Sequence, residues 1–339
     1  MKLLIAYDGS KDADSALDDL QSAGLPTTGQ ARVISVAEVW LPPADSIEEQ
    51  NGASAYAESI LRESRERGAR IIAEAEILAR FAAGRVSAAL PGWDVTPTAT
   101  YGSPGWEVVA EADRFGADLI VVGAQGQSFL SRLVLGSISQ RVLTEAKSSV
   151  RVARGKIELE DGPARIIVGF DASRGSWAAV SAVAKREWKP GSEVRLINVD
   201  EPVFPANIGR FVTPVIAQAP GLKVVERPQL ESSAQAAVSK LGAKGLAVSF
   251  QICPGNPKQK LIEEAASWRA DCIFVGANAW GSRLERLLLG STSAAVAARA
   301  HCSVEVVRHS KASDDLRDDG AFHGAADVET SLAEAEAIK

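Results

Sequence analysis

Residues able to hold an anion cluster around Gly123 to Ser137, GAQGQSFLSRLVLGS. Gly123, Gly126, Gly136 and Ser137 stand in the spacing G-x2-G-x9-G-S. The apolar run DLIVV (118–122) precedes them and a helical pattern, ISQRVLTEAK (138–147), follows. The order is therefore buried strand, glycine-punctuated loop, helix start. Glycines let the backbone turn tightly or let a ligand come close. The first turn of a helix has N–H groups with no partner inside the helix, and Ser137 is placed to be its N-cap. Such amides form an anion site whose usual guest is phosphate. Each negative charge held there gains about 0.3–1 kcal/mol, and up to about 2 when partly buried. Ser137 and Ser139 add hydroxyls, and Arg132 lies within the loop to balance phosphate charge. No Lys follows the last glycine, so the stretch is neither a Walker loop nor the dinucleotide fingerprint.

A second stretch, GANAWGSRLERLLLGS from Gly276 to Ser291, repeats the pattern with changes. Gly276, Gly290, Ser291 and Ser293 are kept, and Arg283 and Arg286 lie inside the loop. Ala279 replaces the second glycine, Trp280 enters, and one extra residue separates Gly276 from Gly290, with Gly281 left to rescue the turn. A Cβ where backbone must approach phosphate clashes with it. The second site is expected to be weaker or altered. Ahead of each loop, Asp8 in AYDGS and Asp171 in GFDAS end apolar runs. Each reads equally as a hard oxygen ligand beside phosphates or as an Asx turn that opens a helix.

The first loop closely resembles the ATP-binding loop of the universal stress protein family. The resemblance implies ATP with Mg²⁺ as cofactors. It implies contact of Asp8, and of Asp171 in the second copy, with the nucleotide, and Asp8 as a Mg²⁺ ligand. It implies backbone groups at Val36 in VISVAE and Val199 in LINVDE offered to the adenine. The family fold is α/β and Rossmann-like, of the adenine nucleotide α-hydrolase kind: a five-stranded parallel sheet of order 3-2-1-4-5 with helices on both faces. Two such domains in tandem are expected here. That order puts strands one and four side by side, so Asp8 would meet Gly123 and Gly126 at the switch point where such sheets bind ligands. The implied role is a cytoplasmic, nucleotide-dependent regulator of the stress response, with no catalytic residue assigned and ATP hydrolysis slow at most. The alternatives are a nucleotide-free scaffold for protein contacts and a slow adenine-nucleotide hydrolase. Family members pair through their last strands, so VRVA (150–153) and VEVV (304–307) are expected to pair about a pseudo-two-fold axis, with a further homodimer open.

The elements that must position these residues come twice. LLIAYDGSKDADSALDDL (3–20) matches IIVGFDASRGSWAAVSAV (166–183), and LVLGSISQRVLTEAKSSVRVAR (133–154) matches LLLGSTSAAVAARAHCSVEVVR (287–308). Domains of 1–155 and 164–308 follow, with a linker at 156–163 and an acidic tail at 309–339 expected to be disordered. In the first copy, strands are expected at 2–7, 31–39, 94–101, 118–123 and 150–153, with helices at 11–23, 54–84, 105–115 and 137–147. Pro97 assigns the third strand to a sheet edge. Strands alternating with helices imply parallel sheets. The paired carboxylates Asp18-Asp19, Glu48-Glu49 and Glu263-Glu264 read as solvated helix faces rather than acid/base dyads.

Composition excludes several functions. A net charge of −6 argues against nucleic acid as a general partner. No apolar run approaches a membrane span, and MKLLIAYDGS reads as a first strand rather than a signal peptide. Three cysteines, Cys253, Cys272 and Cys302, match no zinc spacing and read as reduced, mostly buried thiols. With three histidines in the chain, histidine-based catalysis and metal binding are poorly supplied.

Overall fold

A computed structural model describes residues 1–39, 55–125, 135–155, 162–200, 227–277 and 289–308. The first half runs β1 (Lys2–Ala6), α1 (Lys11–Asp19), β2 (Gly29–Ala37), α2 (Ala55–Ala89), β3 (Trp93–Tyr101), α3 (Pro104–Phe115), β4 (Leu119–Gly123), α4 (Ser137–Glu145) and β5 (Ser149–Ala153). The second half repeats the order: β6 (Arg165–Gly169), α5 (Arg174–Ala184), β7 (Glu193–Asp200), α6 (Arg227–Gly242), β8 (Ala247–Pro254), α7 (Pro257–Trp268), β9 (Cys272–Gly276), α8 (Ser291–Arg299) and β10 (Ser303–Val307).

Apolar runs make the central strands. LIVVG in β4 and CIFVG in β9 are buried on both faces, as strands flanked by helices on each side must be. β3 carries Pro97 and takes the sheet edge, where its missing N–H costs no ladder bond. Within each half the order is 3-2-1-4-5. The two five-stranded sheets are not separate, however. They fuse into one ten-stranded sheet, β3-β2-β1-β4-β5-β10-β9-β6-β7-β8. Among the described residues every pairing is parallel except the seam, where β5 runs antiparallel to β10 with Arg151 opposite Glu305. Joining there pairs two strands that would each otherwise present an open edge.

Among the described residues the core sits in three apolar clusters. One crosses the seam on one face of the sheet and joins Val150 and Val152 of β5 to Val304 and Val306 of β10, with residues of α3, α4, α7 and α8 packed on it. On the other face the core is divided. One cluster packs α1 and α2 on the first half, the other α5 and α6 on the second.

Charged side chains fill the gap between those two clusters. Arg151, fully buried, donates through Nε and Nη2 to the two carboxylate oxygens of Asp19 at 2.6 and 3.1 Å. Its Nη1 lies 3.5 Å from Glu305, whose other oxygen accepts from Arg186 at 2.6 Å. Burial alone would pull the Arg151 guanidinium down, but the facing carboxylates of Asp19 and Glu305 leave it raised. Asp19 is therefore not on a solvated face as its neighbour Asp18 is. The helical spacing that reads Asp18-Asp19 as exposed holds no information about a guanidinium arriving from another element. Glu263 and Glu264 do lie on a helix surface, both paired with Lys260. Glu48-Glu49 and the tail fall outside the described residues.

Candidate functional site at the switch points

β1 lies between β2 and β4, with Ile5 opposite Val121. The chain leaves β1 and β4 toward helices on opposite faces, which opens a crevice beyond their carboxyl ends. The second half is built alike, with β6 between β7 and β9. There the crevice has a volume of about 520 Å³. Its walls bring together all six second-half candidates: Asp171, Val199, Gly276, Gly290, Ser291 and Ser293. Phe170, Asn198, Leu261 and Thr292 also line it. Asn198 was missed from sequence. Its Nδ2 donates to Phe170 O at 3.0 Å and ties the ends of β6 and β7 together. A polar residue interrupting the apolar run LINVD was the available signal. Ser35 does the same work in the first half, its hydroxyl donating to Tyr7 O at 2.7 Å.

Both acidic candidates form Asx turns. The Asp8 carboxylate accepts from Ser10 N, and that of Asp171 from Ser173 N, each at 3.0 Å. Ser10 and Ser173 then cap α1 and α5. The residue between Asp and Ser is left-handed in both turns. It is Gly9 at φ 77° in the first half and Ala172 at φ 60° in the second. Alanine carries a steric penalty there that glycine avoids.

The loop glycines make room for protein first. A Cβ on Gly123 would stand 2.7 Å from the Asp12 carbonyl carbon and oxygen in α1. One on Gly276 would meet the Gly175 backbone of α5 at 2.3 Å. Each glycine thus lets a helix start press against the end of a central strand. Gly136, not Ser137, is the N-cap of α4, with φ −61° and ψ 152°, and Gly290 has the same place on α8. Ser137 and Ser291 are each the first helical residue. Having no side chain, neither N-cap glycine gives the first-turn amides a side-chain acceptor.

Other polar groups of the loop ends are already engaged. Gly136 N donates to Ala124 O at 2.9 Å, and Gly290 N to Ala277 O at 2.7 Å. The Ser139 hydroxyl donates to Gly123 O at 2.6 Å, and that of Ser293 to Gly276 O at 2.5 Å. Each hydroxyl spends its one proton closing the loop's neck and keeps lone pairs rather than a donor for a ligand. In the first half the backbone N–H of Gln125 is bonded to the Asp12 carboxylate. Burial raises the Asp12 pKa and the nearby charge of Asp8 adds to the rise, while Gln125 and the charge of Arg154 oppose it. Asp8 and the end of β4 therefore meet through Asp12, in the first turn of α1. Val36 and Val199 are half-buried near the ends of β2 and β7, packed against the shared core. Gly126 and Arg132, and Ala279, Trp280, Gly281, Arg283 and Arg286, lie outside the described residues.

Among the described residues no group of three or more His, Cys, Asp or Glu is placed to hold a metal by itself. No described helix is long and apolar enough to cross a membrane. The free thiols of Cys253 and Cys272 are buried and that of Cys302 is partly so.

Comparison with known proteins follows the same division into halves. The model of the universal stress protein family matches residues 1–154 and again 163–308. A universal stress protein of Mycobacterium tuberculosis is 27% identical over 199 residues, which span 57% of this chain and 63% of that relative's length. The crystal structure of a universal stress protein from Archaeoglobus fulgidus has the same fold, with a TM-score of 0.57 and 20% identity over 92% of this chain and 97% of its own. A universal stress protein family protein of Arabidopsis thaliana, crystallised with AMP bound, is 19% identical, covers 46% of this chain and 98% of its own, and has a TM-score of 0.30. Matched by one family model along both halves, the chain belongs to the universal stress protein family.

Proposed function

We propose that the protein binds an adenine nucleotide at the switch point of each half, holds Mg-ATP more tightly in the first, and serves as a nucleotide-dependent regulator of the stress response. The observation that carries the reading is the crevice of the second half. Six residues from four stretches of the chain line one cavity of about 520 Å³, within the range of small-ligand sites. A glycine-capped helix start opens into it. Membership of the family supports the same reading.

The ranking of the halves rests on local chemistry. The first loop keeps Gly126 where the second has Ala279. The Asp turn uses a relaxed Gly9 in the first half and a strained Ala172 in the second. Asp8 would complete a Mg²⁺ shell together with phosphate oxygens and water, since Mg²⁺ is usually held by one or two carboxylates plus substrate phosphates. The bound ion would neutralise phosphate charge. We assign no catalytic residue.

A second reading is a scaffold that needs no nucleotide. The engaged amides of Gly136 and Gln125 favour it, because two loop donors already have protein partners. Calorimetry on the full chain with ATP, with and without Mg²⁺, separates the two. One tight and one weaker site are expected. Asp8→Ala should abolish the tight site, and Asp171→Ala should affect the weaker one alone. Absence of binding heat with ATP and AMP at both sites would leave the scaffold. Two equal tight sites would overturn the ranking.

A further inference from the structure

The seam between the halves has a pseudo-two-fold axis, and some of the contacts around it form two matched sets. Arg154 N donates to Ser303 Oγ at 2.9 Å and Arg308 N to Ser149 Oγ at 3.1 Å. Arg154 Nη2 reaches Ala297 O and Ala298 O at the end of α8, while Arg308 Nη2 reaches Leu143 O and Thr144 O at the end of α4. Each residue and its counterpart in these pairs stand at equivalent places in the repeat. These contacts are the same whichever half plays which part, so they cannot tell one half from the other.

The axis itself is different. Val304, Glu305 and Val306 face Val152, Arg151 and Val150. Residues 151 and 305 are equivalent positions of the repeat, and they stand opposite each other. In a pairing of two like halves, residue 151 would face its own copy, as residue 305 would. Behind the axis, Asp19 has Ala182 as its equivalent, and Arg186 has Ala23. Each half therefore brings one carboxylate and one guanidinium: Asp19 with Arg151, Glu305 with Arg186. Both halves are locally neutral, so charge selection falls on the axial contact. Arg186 Nη1 donating to Ala23 O at 2.8 Å and Thr27 N donating to Glu187 at 3.2 Å add further contacts between unlike halves. Only unlike halves set a guanidinium against a carboxylate on the axis. Like halves would bury Arg151 against Arg151 or Glu305 against Glu305 in a site closed to solvent.

We propose that the Arg151–Glu305 pair is a pairing code: it selects a second half as the partner of a first half, within the chain or from a second copy of it, and rejects a half of the same kind. Effective concentration favours the partner on the same chain. The valine ladder supplies adhesion that either kind of half would share.

The code is tested by reversing one axial charge at a time in the full chain. Arg151→Glu sets the new carboxylate beside those of Asp19 and Glu305, with Arg186 alone to oppose them, an excess of two negative charges. Glu305→Arg sets the new guanidinium beside those of Arg151 and Arg186, with Asp19 alone to oppose them, an excess of two positive charges. Uncompensated buried charge should weaken intrachain closure by about 100-fold or more. Exchange between the two variants restores one native seam, and the other seam becomes neutral. Val150→Cys is placed in the Glu305→Arg chain and Val306→Cys in the Arg151→Glu chain, since opposed residues of an antiparallel pair lie within disulfide reach. Both chains are co-expressed, oxidised after lysis and run without reductant. The expected result is an interchain disulfide at 150–306, with little or none between chains that carry the same cysteines but native Arg151 and Glu305. Single variants that are insoluble alone but form the linked dimer when co-expressed also support the code. Equal cross-linking in the native and charge-reversed pairs overturns it. So does failure of co-expression to yield a soluble linked dimer. Glu305→Gln, which removes charge without reversing it, should not drive exchange; exchange as strong as that of Glu305→Arg overturns it as well.

Discussion

Gly123 shows what single residues decide in this protein. A methyl group there would press on the carbonyl of Asp12 at 2.7 Å, and backbone on both sides leaves little room to yield. Gly123→Ala should destabilise the chain by about 1–3 kcal/mol, the usual cost of overpacking. It should also push α1 from β4 and so weaken nucleotide binding in the first half before the second. Urea unfolding read beside calorimetry checks both. A variant with unchanged midpoint and unchanged affinity would mean that α1 does not depend on this contact. The same logic separates two uses of glycine that the repeat alone confounds. Gly9 is needed for its positive φ, Gly123 for its missing volume.

At the scale of elements, the ends of α4 and α8 are each held by an arginine from the opposite half. A cation near the last carbonyls of a helix complements its dipole and satisfies acceptors left over by the helix. Arg154→Met should therefore loosen α8, which belongs to the other half, by up to about 2 kcal/mol. Arg308→Met should loosen α4 in the same way. Hydrogen exchange resolved by segment checks this. The last turn of α8 should exchange faster in the Arg154 variant and that of α4 in the Arg308 variant. Faster exchange confined to the mutated half would contradict the cross-seam role.

At the scale of the whole molecule, the seam where β5, β10 and the neighbouring β9 meet is buried almost throughout. Cys272 in β9 is fully buried there. Burial pushes its thiol from about 9 up to about 12, with Arg151 pulling the other way. A raised folded value means that the unfolded chain gives up this proton first as pH rises. Between about pH 9 and 12 the unfolded state binds fewer protons than the native one, so stability falls with pH. Below pH 9 the contribution is fully present. The expected slope from this one thiol is about 1.4 kcal/mol per pH unit across that window. Urea unfolding from pH 8 to 11 measures it, and Cys272→Ala should flatten the curve by that amount. An unchanged slope in the variant would remove the thiol from the alkaline limb.

Much of this was readable in the chain itself. The strand order that opens a crevice between β1 and β4 came only from the family resemblance, while hydrophobic period and repetition set out the strands and their alternation with helices. These are properties of neighbours along the chain, and local sterics and burial dictate them whatever lies across the fold. Pro97 assigned its strand to an edge for the same reason: a missing N–H is a property of one residue. Tertiary structure alone decided what each polar group does. The Ser139 hydroxyl, a phosphate donor in the sequence, spends its proton on Gly123 O. Asp19, a surface acid by helical spacing, is buried because Arg151, 132 residues away, comes to meet it. Partnership across the sheet depends on register and on which elements share a face, and neither is written in the spacing of residues along one segment. That the halves close into one sheet, with Arg151 against Glu305 on its axis, is a fact of three dimensions.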